Sequence, residues 1–194
     1  MELYLLRHGR TDYNERRLYC GSTDLPLTPG GRAELEALAA RRPLPYFCLT
    51  ADTGMLRTRE TADILVPPGP RISLPDLREM DFGRFEGFGY ETLRLDPVYI
   101  DWITDKSGDF VCPAGESRNG FYDRVRRGFR EWMASLPPEA ERVCLVCHGG
   151  TVCAVMDSFC EEKRGFYDWQ PDNGRGWRIQ VQRDPLLLRD PISL

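Results

Sequence analysis

The chain has 194 residues, of which 41% are hydrophobic and 29% are charged, and its formal net charge at pH 7 is −4. A general nucleic-acid-binding protein would present a basic face, so this acidic balance argues against that class. No run of about 18 apolar residues occurs, so no membrane-spanning segment is expected.

The first residues, "MELYLLRHGR", contain an apolar stretch that is too short for the hydrophobic region of a signal peptide. We therefore expect a cytoplasmic protein. The seven cysteines are an odd number. In a reducing compartment they are expected to be free thiols that fill small apolar gaps.

The first half of the chain predicts three strands separated by two helices. The apolar runs that we interpret as strands are 2–6, 46–50 and 71–74. The first helix follows Thr28, which is a typical N-cap residue, and has Pro29 in its first turn. The second helix is predicted over residues 55–65.

After a loop rich in glycine and aromatic residues, the second half predicts three helices and two strands. The helices are expected at about 90–105, 117–136 and 151–159, and the strands at 142–147 and 175–182. The long helix carries large apolar side chains at helical spacing, which predicts that one of its faces is buried. These side chains are Phe121, Val125, Phe129, Trp132 and Leu136.

Strands separated by helices are typical of βαβ units and of a largely parallel sheet. No repeat, low-complexity linker or change of composition divides the chain, so we expect one α/β domain over residues 1–194. Ligands of such sheets bind beyond the carboxyl ends of the strands. The only two histidines, His8 and His148, both follow predicted strands there.

The stretch "CLVCHGG", residues 144–150, allows three interpretations. Its C-x-x-C-H pattern matches the attachment signature of c-type haem. Two close cysteines and a histidine could also form half of a zinc site. Alternatively, a buried strand could end here and place His148 in an active site.

The histidines and two arginines together indicate a site for a phosphoryl group. Each histidine follows a hydrophobic run and precedes a glycine, which lets the backbone turn and approach a ligand closely. Arg7 adjoins His8, and Arg57 lies in a helix that should begin near the carboxyl end of the second strand. A guanidinium is permanently charged, and its planar fork matches phosphate oxygens.

Four motifs in order carry a resemblance to a known family. They are "RHG" followed by Thr11 and Asn14, then "LRTRETA", "LREMDFGRFEG" and "HGG". The chain resembles the histidine phosphatase superfamily, also called phosphoglycerate-mutase-like, from about residue 2 to 182. The resemblance implies a three-layer α/β/α sandwich with a mostly parallel central sheet.

The resemblance also implies a role for each matching residue. His8 would be the nucleophile that attacks phosphorus, which requires a neutral imidazole and an acceptor that fixes its tautomer. Arg7, Arg57 and His148 would hold the equatorial phosphoryl oxygens. Asn14 would add a neutral hydrogen bond. The N–H group of Gly149 could contribute as well, since "HGGT" should open a helix.

Glu79 in "REMDFG" matches the general acid of the family and would later activate water. Its pKa must then be raised by burial or by its neighbours. Asp76 and Asp81 are rivals by residue type alone. Since arginine and histidine supply the positive charge, we expect neither a metal ion nor a cofactor.

With this resemblance, His148 is interpreted as a phosphate ligand that a buried strand delivers. Cys144 and Cys147 are then small strand residues. Haem attachment would require export, and a zinc site would require two further ligands. Cys153 and Cys160 lie nearby in sequence but on the following helix.

The segment "YCGSTDLPLTPGGRAE" is similar to the α-ribazole phosphatase branch of the family, which acts late in cobalamin assembly. Mutases of the family have a longer chain, so hydrolysis of a phosphomonoester is preferred. Arg10 stands where the family commonly has Glu or Gln. The expected substrate contacts are Arg10, Cys20, Gly21, Ser22 and Tyr90.

The expected partner is a small phosphorylated metabolite, with no nucleic acid and no membrane. Two alternatives to an α-ribazole phosphatase remain open. One is a broad-specificity phosphatase that acts on sugar phosphates or other small metabolites. The other is a non-catalytic phosphate-binding protein on the same fold.

Overall fold

Six strands form one mixed sheet in the computed structural model, which describes residues 1–194. The strands are β1 (Glu2–Arg7), β2 (Leu49–Asp52), β3 (Arg71–Ser73), β4 (Arg142–Cys147), β5 (Gly176–Arg183) and β6 (Leu186–Ser193). Their order across the sheet is β3-β2-β4-β1-β5-β6. The four strands from β3 to β1 pair in parallel, whereas β5 and β6 are antiparallel to their neighbours. The sheet is therefore mostly parallel, as predicted.

Seven α-helices and three 3-10 turns connect the strands. The helices are α1 (Asp12–Glu15), α2 (Pro29–Arg41), α3 (Leu56–Leu65), α4 (Tyr90–Leu93), α5 (Pro97–Thr104), α6 (Arg118–Ser135) and α7 (Gly149–Phe159). The 3-10 turns are Pro75–Leu77, Gly83–Phe85 and Phe166–Trp169. The predicted start of α2 is confirmed, because the Gly31 N–H donates to the Thr28 hydroxyl over 3.0 Å and Pro29 occupies the first turn.

Helices cover both faces of the sheet because successive strand residues point to opposite sides. Tyr4 and Leu6 of β1 pack with Leu35 of α2 and Ala62 of α3 in one core cluster. Leu3 and Leu5 pack on the other side in the larger cluster, to which α6 and α7 contribute. The three-layer α/β/α sandwich is thus confirmed. The five apolar side chains predicted to form the inner face of α6 and its C-cap are all buried.

Two predicted elements have different bounds in the structure. The second strand was expected at 46–50 but is β2, which runs from Leu49 to Asp52. Phe47 belongs to the preceding loop and packs edge-on against Tyr4 with 5.0 Å between ring centroids. The polar end of β2 is buried because Asp52 accepts hydrogen bonds from Gly54 N and Ser73 Oγ over 2.7 and 2.8 Å. Hydrophobicity alone therefore placed this strand about three residues early.

The helical region predicted over 90–105 is two helices, α4 and α5, which separate at Asp96. The Asp96 carboxylate caps α5 by accepting from Val98 N over 2.9 Å, and Pro97 follows in the first helical turn. The last helix begins at Gly149, two residues before its predicted start.

Strand β6 was not predicted at all. Its segment contains Pro191, and Pro185 directly precedes it; proline is disfavoured in the middle of a sheet. An edge strand tolerates proline because one side of its backbone faces solvent.

No helix has both the length and the hydrophobicity that a bilayer crossing demands.

Candidate active site

The two histidines meet at the carboxyl ends of the central strands. In the parallel pairing of β1 with β4, Arg7 lies opposite Cys147, so the next residues of both strands emerge side by side. The ring centroids of His8 and His148 are 5.2 Å apart, and both side chains are buried. The two histidines therefore lie together at the strand ends, as the sequence predicted.

His8 has one ring nitrogen fixed and one free. Its Nδ1 lies 2.7 Å from the carbonyl oxygen of Gly9. Because a carbonyl only accepts, Nδ1 carries the proton and Nε2 keeps a lone pair. Burial lowers the pKa of His8 well below its ordinary value, and the charges of Arg57 and Arg7 act in the same direction. The imidazole is thus neutral, and the acceptor that the nucleophilic role requires is a backbone carbonyl.

His148 is held by hydrogen bonds at both ring nitrogens. Arg57 Nε donates to its Nδ1 over 3.2 Å, so the proton of the neutral ring resides on Nε2. Nε2 in turn lies 2.9 Å from the hydroxyl of Thr53, to which it donates. Burial is the main cause that lowers the pKa of His148, followed by the Arg57 charge. A contact between His148 and a phosphoryl oxygen requires exchange of the bond to Thr53.

Arg57 is fully buried and, like His148, does not line the cavity that holds His8. Besides its bond to His148, its two terminal nitrogens donate to the carbonyls of Thr23 and Gly21 over 2.8 and 2.7 Å. A guanidinium has five N–H donors, so two remain beyond these three. The side chain thus joins the loop at residues 21–23 to His148.

Arg7 lines the cavity, and one of its buried donors has no partner. One terminal nitrogen donates to the carbonyl of Pro171 over 2.9 Å, whereas Nε is buried and unpaired. Burial lowers the pKa of Arg7 from its ordinary value. A Cβ atom at Gly149 would lie 2.5 Å from Gln170 Nε2 and 3.3 Å from Arg7 Nε, so a larger residue here would have to displace the Gln170 amide. An unpaired buried N–H is costly unless an acceptor binds it.

Asn14 also lines the cavity, with its amide orientation set by its neighbours. Its Oδ1 accepts from the backbone N–H and the hydroxyl of Thr11, both over 3.1 Å, and from Asn173 Nδ2 over 3.3 Å. The remaining NH₂ group is therefore available as a neutral donor, as the predicted role requires.

Glu79 lies in the same cavity as His8. Its two carboxylate oxygens accept from Met80 N over 2.9 Å and from Gly150 N over 2.8 Å, the latter in the first turn of α7. Burial raises the pKa of Glu79, although those two N–H groups and the charges of Arg57 and Arg7 oppose the rise. The direction is the one that a general acid needs.

The rival carboxylates lie elsewhere. Asp76 is 3.6 Å from Arg127 in a partly exposed ion pair, and Asp81 accepts from Gly83 N over 2.8 Å. Neither lines the cavity that holds His8.

Of the five residues expected to contact substrate, only Cys20 lines the cavity. Arg10 lies outside it, where its Nε is 3.3 Å from a carboxylate oxygen of Glu34 on α2. Tyr90 is 57% exposed and also lies outside. Gly21 and Ser22 belong to the loop above Arg57, and their backbone N–H groups bind Glu86. The expected direct contacts of Arg10, Gly21, Ser22 and Tyr90 thus have no support from this geometry.

Glu86 is a site residue that the sequence reasoning missed. Its carboxylate accepts from the N–H groups of Gly21, Ser22 and Thr23 over 3.2, 2.5 and 2.7 Å, and from the Thr23 hydroxyl. Since Arg57 binds the carbonyls of the same loop, the loop is held from both sides. The missed signal was the "FEG" end of the long motif, whose glutamate was not assigned a role.

The cysteines of "CLVCHGG" do not converge on His148. Cys144 packs with Tyr4 and Leu6 on one face of the sheet, whereas Cys147 packs in the cluster on the other face. Side chains on opposite faces of one strand cannot bind one metal ion together with His148. The interpretation of this stretch as a buried strand that ends in His148 is the one that fits the structure.

Comparison with known proteins decides the family. The sequence pattern of the histidine phosphatase superfamily (branch 1) matches residues 3–188, which is nearly the whole chain. The chain belongs to this superfamily. The resemblance that the four motifs indicated is therefore confirmed.

Relatives of this superfamily member carry several names. The protein named "Probable phosphoglycerate mutase GpmB" of Serratia proteamaculans is 31% identical, over 98% of this chain and 96% of that protein. The crystal structure of phosphoglycerate mutase from Thermus thermophilus has a TM-score of 0.72 and 31% identity, covering 100% of this chain and 99% of that one. The α-ribazole phosphatase of Shigella flexneri has a TM-score of 0.82 over 98% and 96% of the two chains. Its identity of 24% shows a shared fold.

Proposed function

We propose that the protein hydrolyses small phosphomonoesters through a phosphohistidine intermediate at His8. The observation that carries this proposal is the hydrogen bond from His8 Nδ1 to the Gly9 carbonyl. It leaves Nε2 as a free nucleophile in a cavity that also holds Arg7 and Glu79.

In the first step, His8 Nε2 attacks phosphorus and the bond from phosphorus to the ester oxygen breaks. Protonated Glu79 gives its proton to the departing alkoxide, so a neutral alcohol leaves. Arg7, Asn14 and Gly149 line the cavity beside His8 and supply the donors to the transferring group. They stabilise the charge that develops on its oxygens.

In the second step, water attacks the phosphohistidine. Glu79 is now a carboxylate and takes a proton from the water as the new phosphorus–oxygen bond forms. The bond to Nε2 breaks, inorganic phosphate leaves, and both His8 and Glu79 return to their starting states. Every charge in this scheme is supplied by side chains of the chain, so we propose that no metal ion is required.

Hydrolysis is favoured over a phosphoglycerate mutase reaction by the cavity rather than by chain length. The Serratia relative with a mutase name has nearly the same length, so the expected difference in length does not separate the two activities. A mutase substrate carries a carboxylate close to its phosphate. Apart from Arg7, the only cation that lines the cavity is Arg118, and the Asp105 carboxylate lines it too, so a second carboxylate would meet little net positive charge there.

Two substrate classes remain candidates for this phosphatase. α-Ribazole phosphate is supported by the similarity of residues 19–34 to that branch and by the shared fold with the Shigella enzyme. Broad specificity is supported by the variety of relatives, which include one named "Probable phosphatase C1687.21" in Schizosaccharomyces pombe, 30% identical over 87% of this chain. A non-catalytic binding role is disfavoured because nucleophile and acid face one cavity.

The test is hydrolysis of p-nitrophenyl phosphate in excess EDTA by the unmodified protein and by His8→Asn. The asparagine amide can still donate to the Gly9 carbonyl but has no nucleophilic nitrogen. We expect the unmodified protein to stay active with EDTA and the variant to lose all turnover while its thermal unfolding remains cooperative.

Turnover by folded His8→Asn would show that His8 is not the nucleophile. Loss of the unmodified protein's activity in EDTA would overturn the metal-free scheme. If the unmodified protein hydrolyses neither this ester nor α-ribazole phosphate, the non-catalytic alternative replaces the proposal.

A further inference from the structure

Beyond its polar end, the cavity has two aromatic walls. Its volume is about 380 Å³, which lies within the range of small-molecule sites. We call this part the aromatic chamber. It is defined by Tyr19, Phe82 and Trp102 on one wall and by Tyr122, Phe166 and Tyr167 on the other.

The first wall is a rigid ring cluster. The Tyr19 ring centroid lies 5.0 Å from that of Phe82 and 5.6 Å from that of Trp102 on α5. The Tyr19 hydroxyl is 2.7 Å from the hydroxyl of Tyr99, which is buried. Packing and this hydrogen bond fix the ring faces before any ligand arrives.

The second wall comes from α6 and the 3-10 turn at Phe166–Trp169. The ring centroid of Phe166 is 6.0 Å from that of Tyr122 and 5.1 Å from that of Tyr167. Tyr167 lines the cavity and is 78% exposed, so its ring stands at the edge of the chamber.

One cation, Arg118, lines this part of the cavity together with one carboxylate, Asp105, so the chamber has little net positive charge. The Asp105 carboxylate accepts from the backbone N–H groups of Ser107, Gly108 and Phe110 over 2.9, 2.8 and 3.1 Å, so its oxygens are used within its own loop. Arg118, the one cation here, donates to the carbonyl of Asp105 over 3.0 Å. The chamber is thus suited to a flat apolar part of a ligand, because aromatic side chains pack well against such surfaces.

We propose that the aromatic chamber binds an aromatic ring in the alcohol portion of the substrate. The natural substrate class is then a phosphomonoester whose alcohol carries an aromatic or heteroaromatic ring, rather than a short polyol or hydroxy acid. This inference rests on the proposed function, because the phosphoryl group must sit at His8 for the rest of the ester to reach the chamber.

The first test measures binding without catalysis. The probes are 3-phenylpropylphosphonate and propylphosphonate, which share a non-hydrolysable anionic end, and the method is titration calorimetry. Burial of the phenyl ring is expected to make the first compound bind at least about tenfold more tightly. Equal affinities would overturn the chamber proposal while the phosphate site remained. If neither compound binds, both proposals fail.

A kinetic comparison separates the two proposals further. 2-Phenylethyl phosphate and ethyl phosphate both release primary alcohols, so their chemical steps are closely matched. We expect kcat/KM to favour the phenyl compound by about tenfold or more. A ring preference in binding with no hydrolysis of either ester would overturn the proposed function and leave the chamber intact.

The second test locates the preference with Tyr167→Ala and Phe166→Ala. Each is expected to lower the ratio of the two phosphonate affinities at least about threefold, while the affinity for propylphosphonate stays constant. Tyr46→Ala is the matched control, because Tyr46 is 77% exposed and lies outside the cavity. An unchanged ratio in both chamber variants, or an equal change in the control, would overturn the proposal.

Discussion

At the scale of single residues, His8 combines two properties that a nucleophile needs. Its burial beside Arg57 and Arg7 keeps the ring neutral by lowering its pKa, and the Gly9 carbonyl keeps the proton on Nδ1. Glu79 shows the opposite shift because burial raises the pKa of a carboxyl and lowers that of an imidazole. Burial in the same pocket thus favours both the neutral imidazole of His8 and the protonated carboxyl of Glu79.

The two histidines predict how stability depends on pH. In the unfolded chain they bind protons below about pH 6.5, whereas the folded state holds both neutral because their pKa values are lowered. Their contribution to stability is therefore present above that pH and is lost as the pH falls. Each histidine contributes a slope of up to about 1.4 kcal/mol per pH unit in the free energy of unfolding.

Urea unfolding of the Glu79→Gln variant between about pH 7.5 and about pH 5.5 measures this slope. Glu79 has a raised pKa, so its contribution to the free energy of unfolding is lost as the pH rises, which opposes the effect of the histidines. The glutamine substitution removes this opposing contribution. Addition of His8→Asn should reduce the slope to about half. A slope that is unchanged by His8→Asn would contradict the assignment of a buried neutral His8.

At the scale of elements, the loop at residues 21–23 connects Glu86 of the long motif with Arg57 and, through Arg57, with His148. Glu86 accepts from N–H groups of this loop, and Arg57 donates to carbonyls of the same loop. The loop is therefore held between the two charged side chains. Glu86 contacts no part of the cavity that holds His8 and therefore acts as a positioning residue.

Glu86→Gln is expected to lower kcat/KM for p-nitrophenyl phosphate by about ten- to a hundredfold, since small misplacements of positioning groups have effects of this size. A glutamine NH₂ would face N–H donors, which displaces the loop and with it Arg57. Inorganic phosphate should bind more weakly as well. Glu34→Gln is the matched control, because Glu34 pairs with Arg10 at the surface. Equal activity of the two variants would contradict a positioning role.

Elements with a strong local signal were predictable from the sequence. The N-cap at Thr28 and the apolar stripe from Phe121 to Leu136 encode α2 and α6 through contacts a few residues apart. Strand β6 and the bounds of β2 depend on partners that are distant in the chain. Pro191 is acceptable only because its strand lies at the edge of the sheet, and Asp52 can be buried only because Ser73 and Gly54 bind it.

At the scale of the whole molecule, the parallel centre of the sheet brings the N-terminal strand and a strand from residue 142 onward into register. Motif order identified most of the polar residues of the site. The backbone groups that set their chemistry, such as the Gly9 carbonyl and the Gly150 N–H, cannot be predicted from residue type, because nearly every residue carries the same groups. The aromatic chamber likewise emerges only from the folded chain, whereas Glu86 lies within a motif that is visible in the sequence.

The central claim is that His8 carries the phosphoryl group during turnover. Its most direct test is intact-protein mass spectrometry of Glu79→Gln after a brief reaction with p-nitrophenyl phosphate and an alkaline quench, which preserves phosphohistidine. p-Nitrophenolate leaves without a general acid, but water attack on the intermediate still needs the Glu79 carboxylate, so the phosphorylated form should accumulate. We predict the mass of one added phosphoryl group, located on His8 by fragmentation and absent from His8→Asn/Glu79→Gln. A phosphoryl group on another residue, or an equal mass gain in the double variant, would contradict the account.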